Sequence, residues 1–194
     1  MTLLVIDNFY PNPDLVRDFA LSQEFNLTGA FPAVRGGYYL PDQTVEKIQK
    51  LIKPMSGEIV MWTGDYGVFQ LCTAFDRSWI HADNRKTDPQ DLQIWAGVVY
   101  LTPDAPLTAG TKFYRHKETQ LPVKSFYFQS VVKEDQYKKE VYDFTKWEEV
   151  DTVANVYNRA IFYRGDRFHI ANHYFGHTKE DARLTQTFFF FTEY

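Results

Sequence analysis

The apolar positions of this chain change period along its length. A short apolar run, LLVIDNFY, precedes NPDLVRDFALSQEF, where Asn12 can cap, Pro13 sits at the first helical position, and Leu15, Phe19 and Leu21 recur at roughly helical spacing. The pattern predicts a strand and then a helix. After a Gly- and Pro-containing loop, TGAFPAVRGG, the segment PDQTVEKIQKLI carries Val45, Ile48 and Ile52 at helical spacing, with Asp42 as its cap, and predicts a second helix. From Glu58 onward the pattern shifts to short runs rich in β-branched and aromatic residues: IVMW, YGVFQLCTAF, SWIHAD, IWAGVVYL, GTKFYRH and SFYFQSVV, punctuated by Gly, Pro, Asp and Asn. Several short strands in succession predict a sandwich or barrel. KEDQYKKEVYDFTKW, with Tyr137, Val141 and Phe144 at i, i+4 and i+7, predicts one helical insertion before strands resume at NRAIFYRG and RLTQTFFFF. No repeat, low-complexity segment or linker interrupts the pattern, so a mainly β single domain over residues 1–194 is expected.

Composition narrows the classes of function. An aromatic content of 18% favours sheet and a core built on large rings. The net charge of −4 supplies no basic field for a nucleic-acid backbone or an anionic membrane surface, so neither partner is expected. Cys72 is the single cysteine, which excludes an intrachain disulfide, and it lies in the apolar run VFQLCTAF that reads as buried strand. The opening MTLLVIDNFY lacks the features of a signal peptide, and no window approaches 18 uncharged apolar residues. A soluble, cytoplasmic protein is the expectation.

The chemistry starts from WIHADN. Five histidines and 15 aspartates in this chain would give a His-x-Asp pair by chance roughly 0.4 times, so the pair means little alone. In a strand, however, residues two apart share a face, and His81 and Asp83 would project together. One imidazole and one carboxylate can hold two adjacent positions of a metal. A second histidine would complete the two-histidine, one-carboxylate triad that suits non-haem Fe(II) and leaves three positions open. His116, in YRHKE, reads as a solvated surface residue. His169, His173 and His177 follow the strand NRAIFYRG, and their spacing also admits a helix presenting three histidines to zinc, although Asn-His-Tyr-Phe-Gly is a poor helix and no Glu accompanies them. His169 is favoured because it follows a tight Arg-Gly-Asp turn from which a strand can re-enter. His173 stays open as the alternative.

On the last strand Arg183, Thr185, Thr187 and Phe189 share one face, and Leu184, Gln186, Phe188 and Phe190 the other. A buried arginine needs a carboxylate for its planar fork. That partner is either a protein Asp or Glu or the carboxylate of a ligand, with the Thr185 hydroxyl assisting.

Taken together, these residues resemble the Fe(II)/2-oxoglutarate-dependent dioxygenase superfamily, whose motif runs H-x-D, a distal His, then R-x-S/T. Here these are His81-x-Asp83, His169 and Arg183-x-Thr185. VVYLTPD resembles the strand of the prolyl-hydroxylase-like branch whose tyrosine contacts the 2-oxoglutarate carboxylate, which places Tyr100 in that role. AGTKFYRH, NRAIFYRGDRFHIA and the opening LLVIDNFYPNPDLVRDF are similar to further segments of that branch, so the likeness covers most of the chain, and it is greatest toward uncharacterised bacterial and phage members. The ten residues from His173 to Arg183 match the family's common spacing, whereas His169 lies 14 residues away. The resemblance implies a double-stranded β-helix, or jelly roll, with the N-terminal helices packed outside. It also implies Fe(II), 2-oxoglutarate and O2 as cofactor and cosubstrates, and hydroxylation of a small molecule or a peptide side chain with release of succinate and CO2. Asp83 argues against halogenation. Trp79, Arg85, Lys86, Arg115 and His116 are candidates for the site mouth. A noncatalytic jelly-roll binding module and a cupin-type metal enzyme that does not use 2-oxoglutarate are the rival readings.

Overall fold

The computed structural model describes residues 3–28, 33–63 and 66–193. The elements run β1 (Leu3–Ile6), α1 (Pro13–Ser22), β2 (Leu27–Thr28), β3 (Val34–Tyr38), α2 (Thr44–Ser56), β4 (Ile59–Trp62), β5 (Val68–Cys72), β6 (Gln93–Tyr100) and β7 (Thr111–His116). They continue with α3 (Phe126–Val131), α4 (Glu134–Glu140), β8 (Trp147–Val153), β9 (Ala160–Arg164), β10 (Phe168–Ala171) and β11 (Arg183–Thr192). A large sheet has the order β1-β9-β6-β11-β5-β3-β2, with β4 pairing the far end of β11, and a small sheet has the order β10-β7-β8. The central pairs β6–β11, β6–β9 and β7–β10 are antiparallel. This is the jelly-roll architecture. No helix among the described residues is long and apolar enough to cross a membrane.

Strand periodicity sorts the side chains into layers. On β11, Leu184, Phe188 and Phe190 join α1 and α2 in one core cluster with Phe9, Val16, Ile48 and Ile52. The alternate residues Arg183, Thr185, Thr187 and Phe189 line a cavity on the opposite face. Between the sheets, Tyr100, Ile161 and Tyr163 of the large sheet meet Phe113 and Val153 of the small one. Outside the small sheet, Tyr114, Trp147, Phe168 and Ile170 pack against Phe128 and Val132 around α3, with Ile80. The layers therefore run from α1 and α2, through the large sheet and the small sheet, to α3 and α4.

Local chemistry explains where the periodic reading succeeds. Asn12 caps α1, its side chain accepting the Leu15 N–H, and Pro13 opens the helix. The buried face of α1 is Val16 and Ala20, whereas Leu15 is 60% exposed. Helix α2 buries Thr44, Ile48, Ile52 and Ser56 at every fourth position and continues through Pro54. Its cap is Gln43 in a left-handed conformation, and Asp42 does not serve. Of the expected TGAFPAVRGG loop, residues 29–32 lie outside the described residues. Residues 34–38 are strand β3, where a Cβ on Gly36 would come within 3.0 Å of the Phe25 ring.

Three further expectations give way to tertiary context. SFYFQSVV forms helix α3 rather than a strand: Ser125 accepts the Phe128 N–H as its cap, and Phe128 and Val132 turn inward while Phe126 and Tyr127 face solvent. The helical insertion shortens to α4. Tyr137 and Val141 turn inward, and Phe144 is exposed in a 3-10 turn. Strand β8, WEEVDTV, escapes a hydrophobic pattern because only its end residues are buried, and its acids instead pair with Lys112, Arg115 and Arg167. The apolar core carries the stability. We predict that Phe188→Ala costs about 3–5 kcal/mol by urea denaturation, as expected for a fully buried ring, and that Phe126→Ala stays within about 0.5 kcal/mol.

Candidate metal centre

SWIHAD does not form a laddered strand, and only His81 makes a β-bridge, to His169 of β10. The two residues exchange main-chain hydrogen bonds, His81 N–H to His169 O at 2.9 Å and His169 N–H to His81 O at 2.8 Å. Two residues on, the Asp83 N–H donates to Gly165 O at 2.7 Å. The extended segment is thus sewn to β10 at His81 and to the β9–β10 turn at Asp83. Strand alternation puts His169 and Ala171 of β10 on the cavity side, while Phe168 and Ile170 enter the outer cluster.

The result is a compact trio. One candidate ligand atom from each of His81, Asp83 and His169 lies within 4.8 Å of the others. His81 Nε2 is 3.8 Å from Asp83 Oδ1, His169 Nε2 is 3.5 Å from Asp83 Oδ2, and the two imidazoles are 4.3 Å apart. Each Nδ1 donates to a main-chain carbonyl, His81 to Trp79 O at 2.9 Å and His169 to Arg167 O at 2.8 Å. That bond fixes the tautomer with an unprotonated Nε2 on the carboxylate side, the arrangement used by metal-binding histidines. Asp83 Oδ2 is buried without a hydrogen-bond donor, a position that favours a cation.

Burial sets the protonation states. Desolvation pushes the His81 pKa down to about 3, with the neighbouring His169 adding to the effect, and lowers His169 to about 4. The same desolvation raises Asp83 to about 6. At neutral pH both imidazoles are neutral and the carboxylate is ionised, which is the donor set of a two-histidine, one-carboxylate Fe(II) site.

A cavity of about 490 Å³ opens beside the trio and is also lined by Thr111, Tyr163, Arg183 and Thr185. Arg183 is 5% exposed, and its Nε donates to Ala109 O at 3.2 Å. Its guanidinium lies 5.5 Å from the Tyr100 ring and 5.8 Å from the Tyr174 ring. Among the described residues no carboxylate pairs with it. The internal salt bridge that sequence leaves open is not formed among the described residues. Thr185 Oγ1 is buried on the same face, also without a partner. Tyr100 sits one step behind the cavity wall, its hydroxyl 2.8 Å from that of Thr111.

The remaining sequence candidates fall elsewhere. His173 is exposed beside Asn172, His177 packs edge-on against Phe75, and residues 172–176 form no regular element, so no helix presents three histidines together. His116 is fully buried rather than solvated. Its ring lies against Phe128 and Trp147, its Nε2 meets Glu140 at 3.1 Å and its Nδ1 meets Thr119. Gln136 and Glu140 close that network, which fastens α4 to β7. Of the mouth candidates, Arg85 lines the cavity, whereas Arg115 pairs with Glu148, Lys86 faces Glu134, and Trp79 packs near Tyr142. Sequence reading missed Tyr163, whose ring packs edge-on against His169 at 4.8 Å. The alternation within AIFYR held that signal, because Ile161 and Tyr163 share the inter-sheet face.

Residues 1–190 match a family described as a family of unknown function, DUF6445. The chain belongs to that family. No curated protein matches it significantly. Among solved structures, HygX from Streptomyces hygroscopicus, determined with nickel, 2-oxoglutarate and hygromycin B bound, is 11% identical with a TM-score of 0.59, covering 97% of this chain and 82% of HygX. A Trichoplax adhaerens prolyl hydroxylase, in complex with a hypoxia inducible factor peptide fragment, is 11% identical with a TM-score of 0.53, covering 99% and 84% of the two chains. A viral collagen prolyl hydroxylase from Paramecium Bursaria Chlorella virus-1 is 12% identical with a TM-score of 0.52, covering 99% and 97%. This DUF6445 chain therefore has the fold of prolyl hydroxylases and 2-oxoglutarate-dependent oxygenases.

Each imidazole of the trio is held below its unfolded value of about 6.5, so acid protonates the unfolded chain before it protonates these rings. Stability is lost as pH falls from about 6.5 through about 4 for His169 and about 3 for His81. Asp83, held above its unfolded value, works in the opposite sense as pH rises through about 6. In an NMR titration of metal-free protein, the His81 and His169 rings should stay neutral from pH 8 to 5. A midpoint above 6 for both would contradict their burial.

Proposed function

We propose that this chain is an Fe(II)- and 2-oxoglutarate-dependent oxygenase that hydroxylates its substrate and releases succinate and CO2. The observation that carries the reading is the coincidence, in one cavity, of the half-buried His81 and Asp83 and the buried His169 with a buried Arg183 that no carboxylate among the described residues neutralises. Fe(II) held by those three side chains, together with 2-oxoglutarate and O2, would supply the oxidising chemistry. Every other task belongs to the protein. The main-chain carbonyls of Trp79 and Arg167 hold the two Nδ1 protons, so both Nε2 atoms are ready without deprotonation.

Arg183 fixes the far carboxylate of 2-oxoglutarate through its planar fork, and the unpartnered Thr185 hydroxyl assists from the same face. Tyr100 supports this subsite by stacking beneath Arg183 and orienting the Thr111 hydroxyl. The apolar walls Ile94, Val98, Phe189 and Phe191 limit water around the reacting groups. Retention of Asp83 fits hydroxylation better than halogenation, which would need that position open. An unpaired buried arginine is costly in a noncatalytic shell, and it has no task in a cupin-type enzyme that does not use a 2-oxo acid. The substrate is a small molecule or a peptide side chain, and the setting proposed for the reaction is the cytoplasm.

Two measurements test this reading. Purified protein given Fe(II), 2-oxoglutarate and O2 should bind the 2-oxo acid and form succinate. His81→Ala should abolish turnover, and Arg183→Met should raise the KM for 2-oxoglutarate about a hundredfold. Absence of both binding and succinate, or indifference to His81→Ala, would overturn the assignment. Metal competes with the Asp83 proton, so Mn(II) affinity should be flat above pH 6 and fall about tenfold per unit below it. His173→Ala should leave that affinity unchanged.

A further inference from the structure

We propose that the mouth of this cavity binds an anionic group of the substrate, a carboxylate or a phosphate, between Lys124 and Arg85. Naming this group as the substrate's rests on the oxygenase reading, whereas the anion site itself rests on independent geometry. A second cavity, of about 740 Å³, adjoins the first, and Asn84, Arg85, Asp88, Ile94, Lys124 and Phe191 line both. The junction lies immediately after Asp83 in the chain.

The acids of this region each have a partner of their own. Asp166 pairs through Oδ2 with Arg164 at 2.6 Å while its Oδ1 stays buried without a donor, Asp88 accepts the Arg85 main-chain N–H at 2.6 Å, and Glu134 lies between Lys86 at 3.7 Å and Lys138 at 3.8 Å. Two cations have no such close pair. The half-buried Lys124 ammonium sits 5.1 Å from the centre of the Tyr137 ring, and among the described residues no carboxylate comes within ion-pair distance of it or of the Arg85 guanidinium. Burial lowers the Lys124 pKa, a bias that a bound anion would reverse.

The site is held rather than draped on the surface. Lys124 N–H donates to Asp166 O at 2.8 Å, and Lys124 O accepts from Asn84 Nδ2 at 2.9 Å, so the lysine is tied to the residue next to a proposed metal ligand. Asn84 Oδ1 and Arg164 Nε remain buried without partners, which adds one acceptor and one donor for polar atoms beside the anion. Because the whole chain carries −4, this excess of positive charge is local. Arg183 lines only the inner cavity, so its anion and the anion at the mouth are separate.

The test is a backbone amide NMR titration of protein given Zn(II) and saturating N-oxalylglycine. Acetate and inorganic phosphate serve as separate probes, and acetamide is the neutral control. One of the anions should shift the signals of Asn84, Arg85 and Lys124 saturably, and acetamide should not. The tighter probe identifies the group. Lys124→Gln should weaken that binding about tenfold and Lys124→Arg should preserve it, with the rest of the spectrum unchanged in both. Equal shifts with acetamide, no shift with either anion, or undiminished binding by Lys124→Gln would overturn the proposal. Failure of N-oxalylglycine to shift Arg183 and Thr185, while an anion still titrates Lys124, would count against the oxygenase reading and leave the mouth site standing.

Discussion

The reciprocal pair of main-chain hydrogen bonds between His81 and His169 is the constraint on which the candidate site depends. The two residues are far apart in sequence, and neither ring is aimed by its own side-chain bonds alone. The bridge fixes both Cα positions at once, and the Asp83 to Gly165 bond then sets the carboxylate relative to both. This geometry requires the β9–β10 turn, which requires β9 to pair with β6 and β10 with β7. The two sheets therefore converge on a site to which a non-laddered segment contributes two of the three donors. A peptide carrying only the His-x-Asp sequence would lack this orientation.

Electrostatic cost points the same way as geometry. A protein interior tolerates charge when a partner is present, and this molecule pairs its acids extensively on the outside of the small sheet. Inside the cavity it leaves a carboxylate oxygen, a hydroxyl and a guanidinium incompletely matched. Mismatches of this kind lower stability unless a ligand supplies the missing charge, so their grouping on one cavity sets it apart from a filled core. The His116–Glu140 pair makes the contrast. It also joins a histidine to a carboxylate in a buried setting, but each partner is engaged by a further neighbour, and it serves as a fastening.

Legibility in the sequence followed the physics of each segment. Strands with one face against the helices and the other against the cavity, such as ARLTQTFFFF, alternate cleanly, so the faces of Arg183 and Phe188 are legible in the sequence itself. Segments whose fate is decided by partners could not. SFYFQSVV has strand-like composition, yet a serine cap and one inward phenylalanine make it helical. WEEVDTV hides its strand because salt bridges replace apolar burial. The choice between His169 and His173 depended on which residue enters the small sheet, a long-range event to which sequence spacing is blind. His116 was misread for the same reason: its charged neighbours face outward while it turns in beneath α4.

The cavity mouth has a different structural standing from the barrel. Its junction is built mainly from the 84–92 segment and the turn before α3, outside the strands, with Ile94 of β6 and Phe191 of β11 as its floor. Replacements in the non-strand part remove no ladder partner from either sheet. Selection can therefore exchange one recognition surface for another without reopening the question of foldability, and divergence within such a family should concentrate on this rim while the inner walls change slowly.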